Sequence, residues 1–416
     1  MKEVFFEVKS VAQCREILAS FPCVAGVEQI GLEQALNRVV ALDVIADEDL
    51  PASFRSSMDG YAVRAKDVFG ASEGNPVYLQ LAGKLAVNED PQLSIRPGEC
   101  AQILTGGSLP SGADTVLMWE HTRVIADDEI EVFKSVSPGD NLMLLGEDCR
   151  KGQVVLGKGS RIRPQELGVL SALGHTQVAV YSRPQVAILS TGDELVSAHD
   201  TPGPGQIRDV NSTTLAAWCA WIGAEPVLWG IVPDKTADLR SALSQAVDQA
   251  DCVLLSGGSS VGTRDLSVEV ISSLPQGRIM AHGVAISPGK PTILGAQDQI
   301  PIIGLPGQVT SAQVVMYVLG LPFLAHLRGE ANAFDRTRQV KTWAKAARNI
   351  SSEQGREDYV RVRLVQDDQD MLLAEPVFAK SGLLRSLLRA DGLLVIPAQS
   401  EGVRAGQLCE VVLLLA

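Results

Sequence analysis

The chain has 416 residues, 46% of them hydrophobic and 20% charged, and a net charge of -13 at pH 7. That length exceeds one ordinary core and points to roughly two to four globular domains. The acidic balance argues against a sequence-independent nucleic-acid binder, which needs clustered Lys and Arg to release counterions. The seven cysteines form no Cys-x-x-Cys pair and the five histidines no His-x-x-x-His, so reduced structural thiols are expected rather than a disulfide or zinc framework. No apolar run reads as a membrane span of ~20 residues, and Val4-Phe5-Phe6 is too short for a signal sequence, so a cytoplasmic protein is expected.

In chain order, Val11, Cys14, Ile17, Leu18 and Phe21 recur at helical spacing behind Ser10, a plausible N-cap, and Leu32, Leu36 and Val39 suggest a second helix. From Asp47 to about Asp140, short apolar runs such as Cys100-Ala-Gln-Ile-Leu alternate with turns, as in an inserted β-rich domain. Residues 164–174 read as a helix with a glycine C-cap. It is expected to pack on the first helix, joining residues 1–45 and 146–180 into one discontinuous helical domain around an insertion at 46–145. Residues 181–329 alternate strand and helix, with Asn211 as the expected cap of a helix bearing Leu215, Trp218, Cys219 and Ile222. Such βαβ units predict a three-layer α/β domain with a mostly parallel sheet, closed by a helix from 311 to about 327. Beyond Asp335 the period becomes two, as in Tyr359-Val-Arg-Val-Arg363-Leu, which predicts a small β-barrel or sandwich over 330–416.

The chemistry concentrates in four glycine-bearing turns behind apolar runs: Thr191-Gly192-Asp193-Glu194, Ser256-Gly257-Gly258-Ser259-Ser260, Ser287-Pro-Gly289-Lys290-Pro291 and Gly304-Leu-Pro306-Gly307. Glycine lets backbone N–H groups approach an anion, and in an open parallel sheet such turns collect on the carboxyl edge. Asp193 and Glu194 are carboxylates suited to a hard cation shared with substrate phosphates, or else a turn cap and a solvated acid. Asp265 reads as a third ligand or an N-cap, and Asp234 as an edge carboxylate or a helix cap. Lys290, held between two prolines, is a pre-organised cation for an oxyanion. The loop Ser256–Gly262 lacks the Gly-Lys-Ser/Thr of a P-loop, so no ATPase follows.

Taken together, Ser57-Met-Asp-Gly-Tyr-Ala62, Thr105-Gly-x-x-Leu-Pro-x-Gly-Ala-Asp-Thr115, Gly146-Glu-Asp148, Thr191-Gly-Asp-Glu-Leu195, Ser256-Gly-Gly-x-Ser-x-Gly262, Pro288-Gly-Lys-Pro291 and Gly304-Leu-Pro-Gly307 resemble the molybdopterin molybdenumtransferase family, the MoeA proteins and the gephyrin E domain. The resemblance covers essentially the whole chain. It implies four domains and a homodimer in which Asp59 and Thr105 of one subunit face the α/β-domain pocket of the other. The implied reaction inserts molybdenum from molybdate into adenylyl-molybdopterin, with Mg²⁺ and release of AMP. Asp59, Thr105, Asp148, Glu194, Asp234 and Asp265 are the implied catalytic residues. Thr191, Gly192, Ser256, Gly257, Gly258, Ser259, Ser260, Pro306 and Gly307 are the implied contacts of the pterin and its phosphate. Lys290, Ser311, Arg356 and Ser381 are the implied molybdate contacts, with Arg361 a competitor of Arg356, and Asp193, Glu194 and Asp265 the implied Mg²⁺ ligands. The chain departs from the family pattern at Met143-Leu144-Leu145 and Ser287, where positive charge is lost, and at Gln308-Val309. These departures raise a non-catalytic cofactor-binding or delivery paralogue, or a tungsten-using enzyme, as alternatives.

Overall fold

The computed structural model describes residues 8–24, 26–88, 91–257, 261–380 and 382–414, with the side chains of 261–265 and 338 outside that description. Helix Val11–Ala19 opens with a capping box: Ser10 Oγ accepts from Gln13 N–H while the Gln13 side chain accepts from Ser10 N–H. Its buried residues Val11, Cys14 and Leu18, with Phe21, join the core of the central domain, where the Phe21 and Phe323 rings meet edge-on at 6.0 Å. The expected pairing of this helix with the one at Pro164–Ala172 is therefore corrected. The latter packs Leu170 among Ile30, Val40, Ile162 and Val178. Both helices carry apolar residues, and periodicity alone does not say which surface each one covers.

The second expected helix shrinks to a 3₁₀ turn, Leu32–Gln34. Asn37 sits at φ 64, which ends any helical run, and Val39 and Val40 instead bridge to Arg161 and Val180. Residues on either side of the insertion are joined by antiparallel ladders, Val27–Gly31 with Gln177–Tyr181 and Val44–Ile45 with Val154–Leu156. The insertion itself is built on a six-stranded sheet in the order Thr115–Met118, Gly60–Val63, Glu99–Ile103, Val77–Lys84, Glu129–Val132, Thr122–Ala126. Tyr61, Leu79, Cys100, Leu117 and Ile130 fill one of its cores.

The central sheet runs Glu225–Val232, Gln185–Thr191, Cys252–Gly257, Ile300–Leu305, Ile293–Gln297, Gly277–His282. Five strands run in the same direction, and only Ile293–Gln297 is reversed, antiparallel to both of its neighbours. Alternation along each strand divides its side chains between two cores. Val186, Ile188, Leu254 and Ile303 pack with helix Asn211–Ile222 and the Val309–Leu327 segment; Ala187, Leu189, Val253 and Ile302 pack with helices Thr236–Gln249 and Val261–Ser273. Three layers follow. The segment Val309–Leu327 has the length and mean hydropathy, 1.4, of a membrane span, contrary to the expectation that no run would, but 78% of it is buried inside this core.

In the C-terminal region Lys341–Ala346, Glu357–Gln366, Leu372–Pro376, Gly392–Ile396 and Leu408–Leu413 pair in a ring, because Glu357–Gln366 meets both Leu372–Pro376 and Gly392–Ile396. Of the barrel and the sandwich, the closed five-stranded barrel is the one that forms. All seven cysteines are free, and burial pushes the thiols of Cys14, Cys100 and Cys219 up to about 12, which keeps them protonated and inert.

Candidate functional site

Three of the four glycine turns share one edge. Parallel register sets Thr191 beside Gly257 and Ser256 beside Leu305, so the turns at 192, 257 and 307 emerge side by side. The fourth does not belong to this sheet. Ile286–Ser287 adds in parallel to the barrel strand at Glu357 and Asp358. The apolar run before this turn does supply a short strand, but sequence does not tell which sheet recruits it.

Gly257 is required by space. It sits at φ +140, and a Cβ there would lie 2.0 Å from the Thr191 carbonyl oxygen. The two strand ends therefore approach closely and leave a cleft of about 500 Å³ above them, lined by Thr191, Glu194, Asn211, Ser256, Gly257 and Gly307. Gly382 and Leu384 of the barrel region close it from the side. Gly258, Ser259, Ser260 and Ser381 lie outside the described residues, as does the side chain of Asp265.

A short acid network fixes one end. Thr191 Oγ1 donates to Asp234 Oδ1 at 2.6 Å, and Asp234 N–H donates to Asp193 Oδ1 at 3.1 Å. Asp234 is thus tied to the cleft rather than capping helix Thr236–Gln249, whose N-cap residue is Lys235. Asp265 falls inside helix Val261–Ser273, which excludes the N-cap alternative. Among the described residues no three His, Cys, Asp or Glu side chains converge as a metal cage. Asp193 and Glu194 offer oxygen donors only, the set that suits Mg²⁺, which commonly takes one or two carboxylates and completes its shell with water and phosphate.

The second cluster lies where the α/β domain meets the barrel. Val284 N–H donates to Lys290 O at 2.9 Å, so the loop returns to its start, while Glu357 N–H donates to Ala285 O at 2.9 Å. Exposed Lys290 and half-buried Arg356 therefore flank the same short strand. A Cβ on Gly289 would lie 3.8 Å from the carbonyl oxygen of buried Ser311, which brings helix Val309–Val315 to the same loop. Arg356 already pairs with Asp358 at 3.0 Å and Glu353 at 2.8 Å. Arg361 instead donates to Ala379 O at 2.7 Å and to Ser386 Oγ, bracing the segment that carries Gly382 and Leu384.

Asp59 and Thr105 meet on the inserted domain, at the shared end of strands Gly60–Val63 and Glu99–Ile103. Thr105 N–H and Oγ1 donate to Asp59 Oδ1 at 2.7 and 2.8 Å, and the backbone bond foremost, then the hydroxyl, holds this carboxyl below its ordinary range. Asp148 is exposed, its N–H bonded to Leu50 O. None of Asp59, Thr105 and Asp148 lines the cleft of their own chain. Met58 and Leu104, next in the chain to Asp59 and Thr105, are exposed, as are the apolar side chains of Phe54, Leu144 and Leu145.

One residue expected only as a helix cap has a larger part. Asn211 is the first helical residue, not the cap, and its Nδ2 reaches Ser256 Oγ at 2.6 Å and Gly307 O at 3.0 Å. The signal available was two polar residues, Asp209 and Asn211, on either side of Val210 just before an apolar helix.

Residues 9–174 match the MoeA N-terminal region (domain I and II), and 343–414 match the MoeA C-terminal region (domain IV). Between them, residues 187–326 match the family described as the probable molybdopterin binding domain. The molybdopterin molybdenumtransferase of Haemophilus influenzae is 32% identical over 400 residues, 94% of this chain and 95% of that protein. This chain belongs to the MoeA family. The molybdopterin molybdenumtransferase of Nostoc sp. is 33% identical over 385 residues, 91% of this chain and 87% of its own length. Among solved MoeA structures, that of the molybdopterin biosynthesis moeA protein from Pyrococcus horikoshii OT3 superposes with a TM-score of 0.83 at 30% identity, covering 98% of this chain and 100% of that one. The MoeA match thus spans both the cleft and the remote Asp59–Thr105 pair.

Proposed function

We propose that this MoeA-family chain is a molybdopterin molybdenumtransferase, inserting molybdenum from molybdate into adenylyl-molybdopterin with release of AMP. The carrying observation is the cleft at the carboxyl edge: close-packed glycine turns for phosphate, carboxylates beside them, and a cationic loop at the barrel seam. The turns at 192, 257 and 307 would hold the phosphorylated pterin through backbone N–H groups and the Ser256 hydroxyl. Lys290, Ser311 and Arg356 would hold molybdate, the metal donor. Asp193 and Glu194 would hold Mg²⁺, which when bound supplies neutralisation of phosphoanhydride charge.

The chain is further read as four domains, 1–45 with 146–180, 46–145, 181–329 and 330–416, the first helix of 1–45 packing on the central core instead of on its own unit, and as a cytoplasmic homodimer. Asp59, Thr105 and Asp148 would then complete the partner's cleft rather than their own. Two observations favour this: the pair lies off its own cleft, and its chain neighbours Met58 and Leu104 are exposed apolar side chains. The test incubates purified protein with adenylyl-molybdopterin, molybdate and Mg²⁺ and follows AMP. Molybdate-dependent AMP release is expected; tight pterin binding without it would assign the chain to cofactor storage or delivery. Tungstate in place of molybdate, in the same assay, reports metal choice.

A further inference from the structure

Asn211 is 6% exposed and stands on a braced element. Its neighbour Ser212 bonds to Ser190 Oγ at 2.9 Å, and Ser212 N–H donates to Asp209 Oδ1 at 3.0 Å. The Asn211 Nδ2 faces both Ser256 Oγ and the Gly307 carbonyl. A carbonyl oxygen can only accept, so the amide nitrogen must be the atom directed at Gly307, and this fixes the orientation of the whole amide. Ser256 Oγ, bonded to that same nitrogen, is therefore an acceptor towards Asn211. Its own hydrogen has to point elsewhere.

Ser256 is 2% exposed and lines the cleft, and among the described residues its hydroxyl has no hydrogen bond other than the one from Asn211. Asn211 Oδ1 is also buried without a donor among the described residues. A buried hydroxyl proton and a buried carbonyl oxygen, both unpaired beside glycine turns, are costly unless a ligand satisfies them. We propose that Asn211 is a positioning residue: by occupying the acceptor side of the Ser256 hydroxyl, it commits Ser256 to donate its proton to a phosphate oxygen in the cleft. The same amide ties the Ser256 and Gly307 turns together, so the spacing of the phosphate cradle and the direction of its hydroxyl donor are set by one side chain. This inference rests on reading the cleft as the site of a phosphorylated pterin.

The test uses the full-length protein, with inorganic pyrophosphate titrated calorimetrically into wild type, Asn211→Ala, Ser256→Ala and the double variant, folding being checked by thermal melts. A hydrogen bond to a charged group predicts about a tenfold to hundredfold weaker Kd in each single variant. The losses should be less than additive in the double variant, because part of the Asn211 effect acts through that hydroxyl and only the tie to the Gly307 turn is independent of it. In the AMP-release assay KM should rise more than kcat falls. Should Asn211→Ala not fold, Ser256→Ala alone carries the test, since it removes only a hydroxyl. Additive losses, an unchanged pyrophosphate Kd in Ser256→Ala, or no pyrophosphate binding by wild type would overturn the proposal. Normal pyrophosphate binding by a wild type that releases no AMP would instead sink the transferase reading, with the role of Asn211 still decided by the calorimetry.

Discussion

Thr105 directs both its backbone N–H and its hydroxyl at a single oxygen, Oδ1, of Asp59. Two donors on one carboxylate oxygen favour the charged form, so the Asp59 pKa lies below the ordinary value. The sign follows: a folded pKa below the unfolded one gives a contribution present above the unfolded value of about 3.9 and lost as pH falls through the folded one. Asp59 is thus ionised across the neutral range and is not a proton donor there. Thr105→Val removes the smaller of the two bonds and keeps the backbone one, so the Asp59 pKa should rise part of the way towards normal. Carbon-detected NMR titration of the carboxyl measures it, and an unchanged midpoint would contradict the assignment.

The same pair lies off its own cleft, which makes subunit mixing informative. Asp59→Ala and Glu194→Ala homodimers should each be inactive. Mixed heterodimers keep one intact composite site, so AMP release should recover to roughly a quarter to a half of wild type, depending on exchange. Differently tagged subunits, purified as verified heterodimers, give the reading. Absence of recovery there would argue for a site contained within one chain.

Gly257→Ala tests the close approach of the strand ends. The added Cβ meets the Thr191 carbonyl at 2.0 Å, and backbone cannot swing aside as a flexible side chain can. Strain plus displacement should cost about 2–4 kcal/mol, visible as a lowered melting temperature, with pyrophosphate binding lost as the cleft floor shifts. Gly98→Ala, at positive φ but with open space around it, is the control and should cost only about 1 kcal/mol.

Much of this site was legible because its turns announce themselves. Glycine behind an apolar run marks a strand end wherever it occurs, and at Gly257 the reason is a contact no side chain would survive. What remained hidden depended on partners far away in sequence. Asn211 looks like a helix cap because its two acceptors stand 45 and 96 residues further on. Ile286–Ser287 reads as a strand equally well in either sheet, and only the barrel's open position beside Glu357 and Asp358 decides. The helix expected at Leu32 failed for a local reason, since Asn37 takes a left-handed conformation that periodicity does not register.

The two competing arginines separate by what already holds them. Arg356 stands beside the Lys290 loop with one buried partner, Asp358, and one highly exposed partner, Glu353, whose side chain is 76% exposed and whose pairing is worth little. It can therefore turn part of its guanidinium to an oxyanion. Arg361 has its nitrogens engaged by Ala379 O and Ser386, and so holds the segment that closes the cleft. Arg356→Ala should raise the molybdate KM about tenfold to hundredfold while leaving pterin-nucleotide affinity unchanged. Arg361→Ala should weaken both substrates, because Gly382 and Leu384 lose their brace. Steady-state AMP release with each substrate varied in turn measures both constants. A molybdate-only defect in Arg361→Ala, with Arg356→Ala behaving as wild type, would exchange the two roles and move the oxyanion from the Lys290 loop towards the Ser386 turn.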